Sequence, residues 1–147
     1  MKAQTASGGR TRRRTLAALT TARLAVPYLI FSLLKRMVPT TTLARWAWRR
    51  GTFRNRHREV RAIAAVSRLR RTLGADRGDC LEAALVLYRE LSRAGADPRL
   101  VMGFRTEDKR TAGHAWVEVS GAIVGETPAS PPFVPTVVLG PRGRPIG

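Results

Sequence analysis

One cysteine and one histidine have the side chains and the positions that nucleophilic chemistry requires. Cys80 is the only cysteine among the 147 residues and begins a predicted helix, whereas His114, 34 residues later, begins a predicted strand. Free backbone N–H groups and the dipole at a helix N-terminus favour a thiolate. A nearby imidazole can accept the thiol proton, so the two residues form a candidate nucleophile and base. In the alternative interpretation Cys80 is an inert core residue and His114 has a structural role.

Acidic residues around the thiol make the histidine necessary. Asp79 and Glu82 flank Cys80, in a relation that resembles a capping box. Their negative charges raise the pKa of a thiol, so a cationic partner must compensate for them. His57, the other histidine, lies in an arginine-rich helix where a solvated role is expected. His114 is therefore the predicted partner of Cys80.

A carboxylate must hold the tautomer of such a histidine, and Glu126 is the best candidate. It lies 12 residues after His114, on the next predicted strand. A three-residue hairpin loop places Glu126 opposite His114 on one face of the sheet, whereas a two-residue loop turns it to the other face. The three-residue loop is the predicted register. Glu118 is about 13 Å further along the strand, and Asp108 lies in a polar loop.

The elements that must position these residues are helices followed by strands. Apolar residues at spacings of three and four indicate helices, and alternating apolar residues indicate strands. The predicted helices cover residues 16–38, 41–54, 57–73 and 79–95, and the predicted strands cover 99–104, 114–119 and 122–126. The Pro-rich tail from Thr127 is predicted to be irregular. This order is typical of an α+β fold, in which the Cys80 helix packs on a small antiparallel sheet.

The net charge of +17 belongs to the N-terminal half. Residues 1–77 carry 19 Lys/Arg and two Asp/Glu, whereas residues 78–147 carry eight of each. The basic half predicts an acidic partner, an anionic membrane surface or a nucleic acid, and does not distinguish between them. One cysteine cannot form an internal disulfide, and one cysteine with two histidines makes a zinc site unexpected. Neither a metal nor a cofactor is predicted, and the expected location is cytoplasmic.

The apolar segment at residues 16–38 can be interpreted as a core helix, as a membrane-surface helix or as a membrane-spanning helix. Arg23 interrupts it, and the uncharged stretch 24–34 is 11 residues long. That is short of the roughly 20 residues that a membrane-spanning helix needs. A core helix with a kink or boundary near Pro27 is favoured. Peripheral membrane contact through residues 16–38 stays an alternative.

Several sequence blocks together resemble a known family. Cys80-Leu81 opens an apolar helix that ends in Arg93-Ala94-Gly95, the first strand reads Arg99-Leu100-Val101-Met102-Gly103, and the second begins His114-Ala115-Trp116-Val117-Glu118. At this spacing, over residues 58–127, the blocks resemble the transglutaminase-like cysteine protease of lasso-peptide biosynthesis. Members of that family are the stand-alone B proteins, which remove the leader peptide from the lasso-peptide precursor.

The resemblance implies a papain-like Cys-His-acid triad, which maps onto Cys80, His114 and Glu126. Two positions depart from the family pattern. The acid of such triads is commonly aspartate, and here it is glutamate. The Cys-Leu pair is often followed by Pro-Arg, and here Glu82-Ala83 follow it. The second departure is expected to alter only the helix surface.

Composition and apolar patterning predict the N-terminal part of the domain plan, and the resemblance implies the protease core and the partners. Residues 1–15 are predicted to be a disordered basic arm, residues 16–56 an N-terminal helical region, and residues 57–147 a transglutaminase-like cysteine protease core. The implied partners are a leader–core precursor peptide, a separate leader-binding recognition protein and a downstream lasso cyclase. The basic half is expected to attract an acidic partner, with leader recognition delegated to another protein.

Two other functions stay open at this stage. The same triad can carry out acyl or amine transfer instead of hydrolysis. A small basic nucleic-acid-binding protein is the alternative outside enzymes, and it predicts steeply salt-dependent binding that does not need Cys80. It is disfavoured because the sequence resembles no known nucleic-acid motif, and arginines spread along helices usually form a solvated face.

Overall fold

Four α-helices precede a four-stranded antiparallel sheet in the computed structural model, which describes residues 7–73, 79–107, 110–129 and 132–146. The described helices are α1 (Ser7–Leu34), α2 (Thr40–Ala47), α3 (Arg56–Leu73) and α4 (Cys80–Arg93), and the strands are β1 (Pro98–Glu107), β2 (Arg110–Val119), β3 (Ala122–Val124) and β4 (Val134–Leu139). The strand order is β3-β2-β1-β4. This arrangement confirms the predicted α+β fold class.

Helix α1 is longer than the segment predicted for it. It begins at Ser7 and continues through Pro27 without ending there. Residues 7–15 are therefore helical, which differs from the disordered arm expected over residues 1–15, while residues 1–6 lie outside the described part of the chain. Once a helix has nucleated, each further residue adds a hydrogen bond, and arginine and alanine are good helix formers.

One face of α1 belongs to the core. Leu24, Tyr28 and Phe31 recur at spacings of three and four, and each is at most 5% exposed. This face packs against α3 and α4. None of the described helices is both long and apolar enough to cross a membrane.

Helix α4 is the central element of the fold. Nine of its 14 residues are buried, and it contacts β1 and β2 on one side and the other three helices elsewhere. The Tyr88 hydroxyl donates a hydrogen bond to the Gly140 carbonyl oxygen and accepts one from the Gly143 backbone N–H at 3.2 Å. These bonds attach the C-terminal turn to the helix that carries Cys80.

The first turn of α4 differs from the predicted capping box. Asp79 precedes the helix without a side-chain capping bond, and Glu82 is fully buried. Lys35 Nζ lies 2.5 Å from Glu82 Oε1 and 3.7 Å from Asp79 Oδ1. Because Lys35 draws the carboxylate inward, Glu82 cannot fold back over the helix start. The expectation that Glu82-Ala83 alters only the helix surface is wrong, since both residues are buried.

Part of the tail forms a strand, in contrast to the irregular structure predicted from its prolines. Strand β4 pairs antiparallel with β1, from Leu100↔Leu139 onward, and the register shifts between Met102 and Gly103. Beyond that shift Gly103 pairs with Pro135. Proline has no N–H to donate, so it is tolerated in an edge strand or beside a bulge. The outer position of β4 and the local register shift explain why Pro135 can lie in the sheet.

Candidate active site

Three elements bring the sequence-predicted site residues together. Cys80 is the first residue of α4. His114 lies in β2 opposite Gly103 of β1, and Glu126 follows the end of β3 by two residues. Because α4 packs on β2, the thiol at the helix start meets the imidazole on the strand.

The Cys80 thiol has partners that favour its ionised form. Burial of the side chain raises the pKa of the thiol, but a hydrogen bond with the His114 side chain lowers it. Hydrogen bonds with the backbone of Ala115 and Leu81 and the charge of His114 act in the same direction. The net result is a thiol pKa below its ordinary value, as expected for a reactive cysteine at a helix N-terminus.

The His114 imidazole lies between the thiol and a carboxylate. Its Nε2 is 2.7 Å from Glu126 Oε1, which leaves Nδ1 for the thiol. The contacts with Cys80 and Glu126 raise the pKa of His114 to about 9, although burial opposes them. A lowered thiol pKa and a raised imidazole pKa together favour a thiolate–imidazolium pair at neutral pH.

The hairpin between β2 and β3 has a different register from the predicted one. Val119 pairs with Ala122, so the loop has two residues, Ser120 and Gly121. Both have a positive φ, which is typical of a type I′ turn. The predicted three-residue loop is therefore wrong, and continued pairing in the observed register would turn Glu126 away from His114.

Glu126 reaches His114 because β3 stops early. The last pair of the ladder is Val117↔Val124, and Gly125 follows with φ of +85°. That backbone conformation favours glycine and changes the direction of the chain. A Cβ added at Gly125 would lie 2.9 Å from Leu87 Cδ2. The carboxylate is thus delivered by a strand end and a left-handed glycine, not by strand pairing.

Arg70 of α3 is a further member of the site that sequence reasoning missed. Its Nη1 donates to Glu126 Oε2 at 3.3 Å, while the other carboxylate oxygen faces His114. Arg70 is therefore a positioning residue for Glu126. In the sequence, only its spacing of four from Val66 and seven from Ile63 indicates that it shares a helix face with these apolar residues. All three line the small cavity of about 20 Å³ beside Cys80.

The other predicted candidates lie elsewhere. Glu118 accepts a hydrogen bond from Trp116 Nε1 at 2.9 Å. His57 is exposed on α3. Asp108 lies outside the described residues.

Aromatic side chains form a wall beside His114. The Phe133 ring centroid is 4.9 Å from that of His114, and the Trp116 ring stacks at 6.0 Å. The Arg105 guanidinium carbon is 4.7 Å from the Phe133 centroid. A cavity of about 60 Å³ opens next to this wall, lined by His114, Trp116, Ile123, Glu126, Pro128, Ala129, Pro132 and Phe133. Sequence reasoning missed Phe133 because it lies in the tail that was predicted to be irregular.

The arrangement supports acyl chemistry with a sulfur nucleophile. A thiolate, a cationic acid and an orienting carboxylate are in contact, which is the set of groups needed to form and resolve a thioester. The partly exposed thiol and the cavity beside His114 leave room for a bound acyl group.

Comparison with known proteins assigns the chain to a family. The family model described as the transglutaminase-like superfamily matches residues 16–138. The match begins within α1 and ends within β4, so it includes the N-terminal helices together with Cys80, His114 and Glu126. No curated protein and no solved structure matches the chain.

Proposed function

The chain belongs to the transglutaminase-like superfamily, and we propose that it is a cysteine peptidase that removes the leader from a ribosomally made lasso-peptide precursor. The observation that carries the proposal is the continuous line of contacts from the Cys80 thiol through His114 to Glu126. The sequence blocks around Cys80 and His114, which resemble the leader peptidase, supply the substrate class.

In the first half of the reaction, the Cys80 thiolate attacks the carbonyl carbon of the scissile peptide bond. The C=O electron pair moves to oxygen, and the backbone N–H of Cys80 at the helix start is one donor that can stabilise this oxyanion. The His114 imidazolium then gives its proton to the departing amine as the C–N bond breaks. The leader remains attached to Cys80 as a thioester, and the core peptide leaves with a free amine.

In the second half, water replaces the amine. Neutral His114 takes a proton from the water, whose oxygen attacks the thioester carbonyl, and the C–S bond breaks to regenerate the thiolate. Glu126 holds the imidazole with Nε2 toward itself throughout, so that Nδ1 faces the reacting atoms. The imidazolium formed at each turnover is stabilised by the carboxylate.

The proposal includes two protein partners that the resemblance suggests. A small leader-binding protein presents the precursor, and a downstream ATP-dependent cyclase uses the core peptide with its newly freed amine. Neither partner contributes to the chemistry at Cys80.

The test is cleavage of a leader–core precursor by the purified chain, with the leader-binding protein present and products identified by mass spectrometry. We expect separate leader and core peptides, and no products with Cys80→Ala. Circular dichroism must show that Cys80→Ala is folded. A folded Cys80→Ala variant that still cleaves the precursor contradicts the proposal.

The same experiment in H₂¹⁸O separates hydrolysis from acyl transfer by the same triad. Hydrolysis places one ¹⁸O atom in the new carboxyl group of the leader. Transfer to an amine gives a product with no ¹⁸O and an added amine mass, which would assign the triad to a transferase.

A further inference from the structure

A groove distant from the candidate active site runs between α1 and α3. Its volume is about 460 Å³, within the usual range of about 300–1,000 Å³ for ligand pockets. Four arginines line it: Arg23 from α1, Arg58 and Arg61 from α3, and Arg93 from the last turn of α4. We call this feature the arginine groove.

The arginine groove has an apolar floor beneath its charged rim. Leu24 and Ala65 line it and are 4% and 2% exposed. Arg23, Arg58 and Arg61 are exposed. A ligand that fits this groove must therefore offer apolar groups to the floor and negative charge to the rim.

The rim carries positive charge that the described residues leave largely uncompensated. Glu90 is the single acidic residue among the described ones that line the groove. It is already paired with Arg93 at 3.2 Å and lies 3.8 Å from Arg89. No described carboxylate forms an ion pair with Arg23, Arg58 or Arg61 at that rim.

The guanidinium groups around the groove also act on one another. Burial lowers the pKa of Arg89, and the positive charges of Arg49, Arg93 and Arg23 also lower it. The negative charge of Glu90 acts in the opposite direction. The fold thus holds like charges close together at a site where a bound anion would offset their repulsion.

From this combination we propose that the arginine groove binds an acidic, amphipathic segment of a partner protein. Carboxylates of the segment pair with Arg23, Arg58 and Arg61, and its apolar side chains lie on the floor formed around Leu24 and Ala65. A flat lipid surface cannot enter a groove between two helices. A nucleic acid backbone would supply phosphates for the rim but would leave the apolar floor uncovered.

The position of the groove keeps it independent of the peptidase chemistry. Arg61 and Arg70 are nine residues apart on α3, which corresponds to about 14 Å along the helix. None of the three triad residues lines the groove. A docked segment therefore leaves Cys80 accessible, and binding can be measured without turnover.

The test uses the full chain carrying Cys80→Ala, so its outcome does not depend on the proposed function. The probe is a fluorescein-labelled helical peptide with glutamates on one face and leucines on the other, followed by fluorescence anisotropy. We expect saturable binding that weakens as salt increases. The triple variant Arg23→Glu/Arg58→Glu/Arg61→Glu is expected to lose at least about tenfold in affinity, as three exposed ion pairs imply.

A matched control has the same change in net charge away from the groove. Arg99→Glu/Arg110→Glu/Arg144→Glu replaces three exposed arginines and is expected to bind within about threefold of the parent chain. A peptide with lysine in place of every glutamate is expected not to bind. If the charge reversals perturb folding, Arg23→Gln/Arg58→Gln/Arg61→Gln provides the milder comparison.

Three outcomes overturn the proposal. One is failure of the acidic peptide to bind, and another is an equal loss in the two triple variants, which assigns binding to net charge alone. Duplex DNA and phosphatidylglycerol vesicles serve as further probes of the same variants. The third outcome is that the triple variant of the groove arginines loses affinity for one of these probes and keeps its affinity for the peptide, which would assign the groove to a nucleic acid or a membrane.

Discussion

The carboxylate of Glu126 interacts with two cations at once. Oε1 faces His114 Nε2 at 2.7 Å, and Oε2 accepts from Arg70 Nη1 at 3.3 Å. The first contact stabilises the imidazolium. The second fixes the orientation of the carboxylate but competes for its charge, so Arg70 limits how far Glu126 can raise the pKa of His114.

Replacing Glu126 by glutamine tests the orienting role directly. An amide can donate as well as accept, so it no longer fixes the tautomer of His114 or stabilises its cation. We expect Glu126→Gln to lower kcat by at least about 100-fold, and Glu126→Asp to keep part of the activity. Glu118→Gln, which removes a carboxylate bound to Trp116, should retain kcat close to that of the parent chain. Steady-state precursor cleavage gives these values, and a fully active Glu126→Gln would exclude Glu126 from the triad.

Replacing Arg70 tests the positioning role through the pH profile. Activity of the parent chain is expected to fall as pH rises through about 9, because the His114 imidazolium then loses its proton. Arg70→Gln frees the charge of Glu126 to act on His114, so the basic limb should move to higher pH while kcat falls about threefold to tenfold. Arg70→Lys should restore part of the loss, and the exposed neighbour Arg71 offers Arg71→Gln as a control. An unchanged pH profile in a folded Arg70→Gln variant would leave Arg70 a structural role only.

The geometry of the site depends on where β3 ends. Gly125 and Gly121 both have a positive φ, of +85° and +80°. A Cβ at Gly125 would lie 2.9 Å from Leu87 Cδ2, whereas a Cβ at Gly121 meets nothing within 4 Å. Substitution at Gly121 therefore reports only the cost of a left-handed backbone. Substitution at Gly125 adds the effect on the position of Glu126.

The matched pair Gly125→Ala and Gly121→Ala tests this dependence. Each should lower the free energy of unfolding by about 1–2 kcal/mol through backbone strain. Only Gly125→Ala should also lower kcat, by at least about tenfold, because the clash with Leu87 displaces Glu126 from His114. Urea denaturation and precursor cleavage measure the two effects separately. Equal activity of the two folded variants would mean that Gly125 does not control the carboxylate.

The sequence predicted individual elements better than the pairing between them. The 57–73 segment and the helix that begins at Cys80 correspond to α3 and α4, because apolar spacing and helix-start signals are local. The hairpin register was wrong, since it depends on the left-handed conformation of Ser120 as well as Gly121. Strand β4 was missed because its pairing with β1 is a long-range contact that the prolines of the tail conceal.

For the site residues too, local signals were predicted better than long-range contacts. Cys80 and His114 were brought into contact as predicted. Cys80 begins α4 as expected, whereas His114 lies inside β2, which begins at Arg110, and not at a strand start. Glu126 meets His114 for a reason other than the predicted one, through the early end of β3. Arg70 had no distinct signal among the arginines of α3, because its role depends on how α3 packs beside the hairpin.

The basic N-terminal helices and the sheet form one packed unit. Helix α1 contacts both α3 and α4, and the family match extends over the N-terminal helices from residue 16. The boundary predicted between residues 56 and 57 therefore falls inside the region that matches the family. The net charge of +17 lies mainly on helices that support the Cys80 helix.

This charge distribution leads to an expectation about partner dependence. The isolated chain should cleave the precursor slowly, and a leader-binding protein should stimulate it, less so at high salt because screening slows association. Arg49 already donates to the Trp46 carbonyl oxygen and Arg54 to the Glu59 carboxylate, so an acidic partner is expected to pair first with the arginines of the arginine groove. Reversing the charge of those groove arginines should therefore raise the apparent KM more than it lowers kcat. Initial rates at several salt concentrations measure this. Efficient, salt-insensitive cleavage by the chain alone would show that it recognises the leader itself.

Activation of the Cys80 thiol by His114 can be tested without a substrate. Cys80 is the only cysteine, so the mass gained on iodoacetamide treatment reports on this thiol alone. The decisive measurement is the alkylation rate as a function of pH for the parent chain and for His114→Ala. We expect the parent chain to stay reactive well below the ordinary thiol pKa of about 8.5, and His114→Ala to react at least about tenfold more slowly at neutral pH, with its profile moved upward. Superimposable profiles for the two folded proteins would show that His114 does not activate the Cys80 thiol.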